Sequence, residues 1–204
     1  EDIWPSGGDY DMNDVIVEYE RKVYFDKKNI VTKIVDEFTP VHDGATYVNA
    51  FAYQIDAAQI GDKITLPEGA ILEKETSSII VMSNAKQNVG NKYVVTREFN
   101  GSFLKNQLLS YNPYIIVKYS QGEQNRTEVH LPKHKATAYA NQSLIGSNDD
   151  AYYIDRKGAY PFAIDIPMLG FTPVTERKRS DSQYPGFATW AKSMRNYGKD
   201  WYKK

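Results

Sequence analysis

The amino-acid sequence predicts an all-β fold, an antiparallel, jelly-roll-like β-sandwich with one C-terminal α-helix. Apolar and polar residues alternate in many short runs, which is the period of a strand with one buried face. Turn-forming residues separate these runs, and no helical segments alternate with them. Because 204 residues without a linker, repeat or low-complexity tract suit one all-β core, we expect a single domain, 1–204.

The strands follow one another at close spacing. The first begins with apolar residues at Val15 and then alternates as far as Phe25. A polar turn over 26–29 separates it from a second strand over 30–40, which predicts a hairpin. The remaining predicted strands are 47–55, 64–66, 78–82, 93–99, 114–119, 128–131 and 162–166.

One late segment has the period of a helix. Its apolar residues fall at i, i+3, i+4 and i+7, and they are Phe187, Trp190, Ala191 and Met194. Pro185 lies just before this segment and Gly198 just after it, as expected at the two ends of a helix. We expect the helix to pack on the sandwich through this apolar face.

Composition excludes several classes of function. With 25 Lys and Arg against 26 Asp and Glu, the chain has no excess of positive charge, which argues against a nucleic-acid-binding protein. Cysteine is absent, so there are no disulfides or thiolate metal sites. No apolar run reaches the roughly 18 residues that suggest a membrane span.

Acidic residues crowd the start of the chain. Asp9, Asp11 and Asn13 stand at alternate positions, a spacing that lets their oxygens converge on one cation, and Asp14 follows them. We expect a Ca²⁺ site here, because an all-oxygen loop suits a hard ion rather than Zn²⁺. The additional predicted ligands are Glu1, Asp2, Asp149 and Asp150.

This loop is not an EF-hand, which requires glycine where Asp14 stands and a helix afterwards. The alternative to a cation is that the Asp and Asn side chains only form Asx-turns. For Asp149 and Asp150 the alternative is a solvated acidic loop. His42, His130 and His134 are too few and too scattered for a zinc signature.

The opening motif, E-D-x-W-P-x-x-G-D-Y-D-x-N-D before an apolar strand, resembles the LruC-type domain of bacterial surface lipoproteins and exported proteins. The resemblance continues through 111–117, 128–132, 143–150 and 161–167, and it ends with 187–191 and 200–202. It implies a β-rich domain of an exported protein, extracytoplasmic and surface-anchored or secreted, with a lipid anchor upstream. The chain begins at Glu1, within the motif, so we expect a fragment of a longer protein.

The family has no established activity, and the chain departs from its frequent aromatic-Gly-aromatic pattern at Phe51-Ala52-Tyr53. Three tyrosines, Tyr152, Tyr153 and Tyr160, lie in or beside the long polar stretch 136–158. Such residues grip sugars or partner proteins when they are exposed, and they fill cores when they are not.

We therefore expect a non-catalytic, calcium-stabilised binding or adhesion module of the cell surface, whose partner is a protein or a glycan. A carbohydrate-binding module is the alternative. A glycoside hydrolase is disfavoured, because nothing in the sequence singles out the pair of carboxylates, about 5–10 Å apart, that such an enzyme needs. A nucleophile motif of the form G-x-S-x-G is also absent.

Overall fold

The computed structural model describes residues 4–101 and 103–203, and it confirms the all-β sandwich. Within these residues nine strands form two sheets in which every neighbouring pair of strands is antiparallel. The strands are β1 (Ile16–Phe25), β2 (Val31–His42), β3 (Ala50–Gln54), β4 (Lys63–Thr65), β5 (Ile71–Glu73), β6 (Ser78–Met82), β7 (Tyr93–Glu98), β8 (Asn112–Val117) and β9 (Thr127–His130). The predicted ligands Glu1 and Asp2 lie outside the described residues.

The four-stranded sheet has the order β1-β2-β7-β4, and the five-stranded sheet has the order β5-β6-β3-β8-β9. The predicted hairpin joins β1 to β2. Its turn is set by Asp26, whose Oδ1 accepts the backbone N–H groups of Lys28 at 2.8 Å and Ile30 at 2.9 Å. Asn29 supplies the left-handed residue of the turn, with φ of 61°, a conformation that Asn tolerates better than most residues.

The main core lies between the sheets, and both of them contribute to it. Its members include Phe38, Phe51, Tyr53, Ile79, Val95 and Ile115. Because side chains alternate along a strand, Ala50, Ala52 and Tyr114 lie on the other face of the five-stranded sheet. Edge strand β1, in contrast, is at least partly accessible along its whole length.

A second apolar cluster, here called the C-terminal layer, is built mainly from residues after β8 together with the start of the chain. Its aromatic members are Trp4, Tyr10, Tyr153, Tyr160, Phe162, Tyr184, Phe187, Trp190, Trp201 and Tyr202. Val129 on β9 belongs to the same cluster, so the layer adjoins that edge of the five-stranded sheet.

The predicted C-terminal helix is α2 (Gly186–Lys192), and a four-residue helix, α1 (Ser180–Gln183), precedes it. Phe187 and Trp190 of α2 are buried as expected. Met194 is not, because the helix ends before it, its φ is 52°, and 70% of its surface is exposed. Short 3₁₀ helices occupy Ala57–Gln59, Lys74–Thr76, Lys86–Asn88, Lys105–Gln107 and Gln142–Leu144.

Two details of the strand prediction were wrong. The segment 162–166 is not a strand: Phe162 packs into the C-terminal layer, and prolines at 161 and 167 lack the N–H groups that a ladder needs. Strand β5, which is three residues long and pairs with β6, was not predicted. No helix in the described part of the chain is long and apolar enough to cross a membrane.

Candidate metal centre

The opening loop, residues 4–14, presents its odd and even positions to different surroundings. Tyr10 and Met12 have φ of 56° and 54°, in the left-handed region, and both side chains are buried in the C-terminal layer. A left-handed residue costs roughly 1–2 kcal/mol, and burying a large apolar side chain returns about 1.5–3 kcal/mol. Burial of Tyr10 and Met12 thus stabilises the left-handed backbone conformation that lets Asp9, Asp11 and Asn13 converge.

The carboxylates of Asp9 and Asp11 meet a third, that of Glu176. One carboxylate oxygen of each lies within 4.8 Å of those of the other two. We call these three residues the carboxylate cluster. Glu176 was missed by the sequence analysis, because nothing in its polar neighbourhood distinguishes it and its partners lie at the opposite end of the chain.

Without a cation, burial and mutual repulsion make it unfavourable for all three carboxylates of this cluster to be ionised. Burial raises the pKa of Asp11, and the carboxylates of Asp9 and Glu176 raise it further. The backbone N–H of Arg177, which donates to Oδ2 of Asp11 at 3.0 Å, opposes this shift. In the part of the chain that the structure describes, no Lys, Arg or His side chain forms an ion pair with any member of the cluster.

Asn13 borders the cluster through its amide. Its Nδ2 donates to the carbonyl of Val174 and to Oε2 of Glu176, both at 3.3 Å. Its Oδ1 is buried beside Gly44 without a hydrogen-bond partner. Amide oxygen and nitrogen positions are exchanged by a 180° rotation of the side-chain amide. In the rotated form Oδ1 faces Glu176 and Val174, on the side where a cation would draw oxygen ligands together.

Asp14, the fourth predicted ligand of the loop, lies elsewhere. Its backbone carbonyl accepts the N–H of Ala45 at 3.4 Å. Burial raises the pKa of Asp43, and the nearby carboxylate of Asp14 raises it further. The carboxylate of Asp14 therefore adjoins that of Asp43 and is not part of the carboxylate cluster.

Asp150 anchors the opening loop by hydrogen bonds. Its buried carboxylate accepts Nε1 of Trp4 at 2.8 Å and the backbone N–H groups of Gly146, Tyr152 and Tyr153 at 2.7, 3.0 and 2.6 Å. These donors leave little room for a cation at Asp150. Its carboxylate therefore holds the loop through hydrogen bonds and is not an ion ligand.

The neighbouring Asp149 anchors the same loop. It accepts the N–H of Gly7 at 2.9 Å and pairs with Lys157 at 2.7 Å, and these contacts lower its pKa. Asp149 and Asp150 thus attach the start of the chain to the C-terminal layer, and the structure does not bring them to the carboxylate cluster.

The three tyrosines predicted to contact a ligand have mostly structural surroundings. Tyr153 and Tyr160 are 0% and 4% exposed; the ring centroid of Tyr153 is 4.9 Å from that of Trp4, and that of Tyr160 is 5.1 Å from that of Tyr10. Only Tyr152, which is 37% exposed, remains accessible. For Tyr153 and Tyr160 the structure favours the alternative that the sequence left open, since both fill the C-terminal layer.

A separate charged network is buried on the outer face of the five-stranded sheet. Arg126 bridges Glu73 at 2.7 Å and Glu128 at 2.8 Å, and Nε2 of His130 lies 3.0 Å from Glu128. Thr137 donates to both oxygens of Glu128. These bonds occupy the carboxylates of both Glu73 and Glu128.

One of the comparisons with known proteins gives a match. The model of a family described as a domain of unknown function, DUF4842, matches residues 29–202. No curated protein and no solved structure matches the chain. The matched residues include Glu176 and the whole of both sheets from β2 onward. The chain therefore belongs to the DUF4842 family of domains of unknown function.

Proposed function

We propose that this domain is a non-catalytic module whose fold is stabilised by a bound calcium ion. The observation that carries the proposal is the carboxylate cluster, in which Asp9, Asp11 and Glu176 converge without a cationic side chain paired to them among the described residues. Like charges in a partly buried site repel, and each raises the pKa of its neighbours unless an ion neutralises them.

The chemistry of the site favours calcium over other metals. The carboxylates of the cluster, the amide of Asn13 in its rotated form and the carbonyl of Val174 would supply five oxygen ligands. Ca²⁺ accepts about six to eight oxygens in flexible geometry, so one or more waters would complete the shell. Mg²⁺ demands near-ideal octahedral geometry, and Zn²⁺ prefers nitrogen and sulfur ligands.

A structural role fits the origin of the ligands. Asp9 and Asp11 come from the opening loop, and Glu176 comes from the segment just before α1. An ion that joins them would tie the start of the chain to its C-terminal part, much as a disulfide would in a chain that has cysteine. A glycoside hydrolase, disfavoured from the sequence, gains no support from Glu73 and Glu128, whose carboxylates are occupied by the buried network. Burial of Tyr153 and Tyr160 removes the main argument for a glycan-binding surface.

The cellular setting is proposed from the resemblance of the opening motif to LruC-type domains. We infer an exported protein, secreted or anchored at the cell surface through a lipid attached upstream, whose domain contacts a protein or glycan there. Antibody labelling of intact cells tests this inference. Labelling that appears only after the cells are lysed would contradict it.

Calorimetric titration of metal-free protein with Ca²⁺ tests the ion. We expect one saturable site, and a melting temperature that is about 4–12 °C higher in millimolar Ca²⁺ than in excess chelator. This range follows from about 2–3 kcal/mol of ligand stabilisation at 100-fold excess over Kd and about 2–4 °C per kcal/mol for a domain of this size.

The matched variants are Asp11→Asn and Glu123→Gln. Asp11→Asn removes one charge from the cluster and should weaken binding at least tenfold, whereas Glu123 is exposed and lies outside the cluster, so its variant should bind as the parent does. Equal melting temperatures of the parent in chelator and in Ca²⁺ would rule the proposal out.

A further inference from the structure

A cleft of about 870 Å³ runs between edge strand β1 and the segment 163–171. Its interior is apolar: Val17, Phe51 and Ile115 form the side nearest the sheets, and Ile164, Ile166 and Phe171 form the opposite wall. Cavities that bind small molecules measure about 300–1,000 Å³ and are lined mainly by apolar groups, so this cleft has the size and lining of a ligand site.

The cleft exists because the segment does not pair with β1 as a strand. Paired backbones lie about 4.7–4.9 Å apart. Here two side chains span the gap instead: the hydroxyl of Tyr19 donates to Oδ2 of Asp165 at 2.8 Å, and the N–H of Gly170 donates to Oε1 of Glu18 at 2.5 Å. These bridges hold the segment farther from the strand than a backbone ladder would.

Charge at the mouth of the cleft is negative. Four carboxylates and one ammonium line it. Glu37 pairs with Lys92, and Lys22, just outside the lining, pairs with both Glu37 and Glu20. The other two carboxylates, those of Glu18 and Asp165, accept only neutral donors and form no ion pair with any described residue.

Tyr19 follows Glu18 in β1, and its hydroxyl donates to Asp165. Its ring is 45% exposed, and burial together with the charge of Asp165 raises the pKa of its hydroxyl to about 12, so the ring stays neutral. A neutral, accessible aromatic ring beside a carboxylate attracts an organic cation, by charge and by cation–π contact.

We propose that this cleft binds a cationic amphiphile, a molecule with an elongated apolar body and one amine or quaternary ammonium group. The apolar body lies against Ile115 and Ile164, and the cation lies at the mouth between Glu18 and Asp165, over the ring of Tyr19. This site is separate from the carboxylate cluster, and the proposal does not depend on a bound calcium ion.

The test compares three probes that share a ten-carbon chain: decyltrimethylammonium, 1-decanol and decanoate, each below its aggregation threshold. Binding is followed by calorimetry and by amide chemical shifts. We expect one saturable site for decyltrimethylammonium, at least tenfold tighter than for decanoate, with shifts concentrated at 15–20 and 163–171. Equal binding of the three probes, tighter binding of decanoate, or no saturable binding would overturn the proposal.

Two variants locate the site. The double variant Glu18→Gln with Asp165→Asn keeps both hydrogen-bond acceptors and removes both charges, so it should abolish the preference for the cationic probe while 1-decanol binds as before. Ile166→Trp fills the cleft and should weaken all three probes, provided its melting temperature matches that of the parent.

The exposed Glu123→Gln is the control. An unchanged preference in the double variant would overturn the proposal. Light scattering tests whether a second copy of the chain occupies the cleft instead. A dimer that dissociates when a probe fills the cleft would also overturn the proposal.

Discussion

Nδ2 of Asn13 lies 3.3 Å from Oε2 of Glu176, although the two residues are 163 positions apart in the chain. This contact brings the opening loop against the segment before α1, and it completes a site that neither segment forms alone. The carboxylate cluster therefore depends on the tertiary fold. Substitutions at Glu176 test the site without touching the loop that first suggested it.

Glu176→Gln is expected to have opposite effects with and without calcium. In Ca²⁺ the variant should be less stable than the parent, because it loses a charged ligand and binds the ion at least tenfold more weakly. In chelator it should be as stable as the parent or more so, because it removes repulsion from Asp9 and Asp11. Thermal denaturation in both conditions measures this, and a variant that is equally destabilised in both would contradict the assignment.

Calcium should also reverse the effect of pH on the stability of the fold. The pKa of Asp11 is raised in the cation-free fold, so its contribution to stability is present below its unfolded value, near 3.8, and is lost as pH rises through the folded pKa. Ca²⁺ requires the ionised carboxylate, so the stabilisation that it gives should grow with pH. Melting temperatures from pH 4 to 7, in metal-free and calcium-containing buffers, should diverge as pH rises, and Asp11→Asn should narrow the divergence.

Glu128→Gln should be severely destabilising. Burial alone raises the pKa of Glu128, but donors from His130, Thr137 and Arg126 outweigh it and lower the pKa, so the carboxylate is ionised and its contribution to stability is lost only in acid. Breaking such a buried pair costs about 3–5 kcal/mol.

Glu98→Gln is the matched surface change, since Glu98 pairs with exposed Lys63, and it should cost less than about 1 kcal/mol. Urea denaturation of both variants measures the two values. Similar costs for the two variants would show that the buried charged network on the outer face of the five-stranded sheet contributes no more to stability than a surface ion pair.

Two members of the predicted helical face should behave differently. Phe187 is fully buried in the C-terminal layer, so Phe187→Ala should cost about 3–5 kcal/mol. Met194 is 70% exposed beyond the end of α2, so Met194→Ala should change the free energy of unfolding by less than about 0.5 kcal/mol. Denaturant melts check both, and a large effect at Met194 would mean that α2 continues farther than described.

The sequence alone predicted eight of the nine described strands and two of the three carboxylates of the cluster. Period-two alternation identifies strands such as β2 because their burial is local information, and the D-x-D-x-N spacing identifies Asp9, Asp11 and Asn13 for the same reason. Glu176 could not be found, since its role depends on a contact with the other end of the chain. Met194 continues a helical period in sequence, yet the backbone leaves the helix before it.

Two acidic residues illustrate the opposite error. Asp149 and Asp150 are the chemical type that binds Ca²⁺, and the sequence gives no sign of the indole and backbone donors that meet them in the fold. The tyrosines at 153 and 160 show the same limit, because the sequence does not reveal whether a tyrosine ring is buried or exposed. The LruC-type resemblance and the calcium ion remain predictions that the experiments above address.

All three tryptophans of the chain, Trp4, Trp190 and Trp201, belong to the C-terminal layer, and the core between the sheets contains none. Indole emission will therefore follow the melting of that layer, whereas phenol absorbance will also follow the sheets, through residues such as Tyr53. Coincident curves from the two chromophores would mean one cooperative unit. Separate curves would mean that the layer and the sandwich melt independently, with the start of the chain released together with the layer.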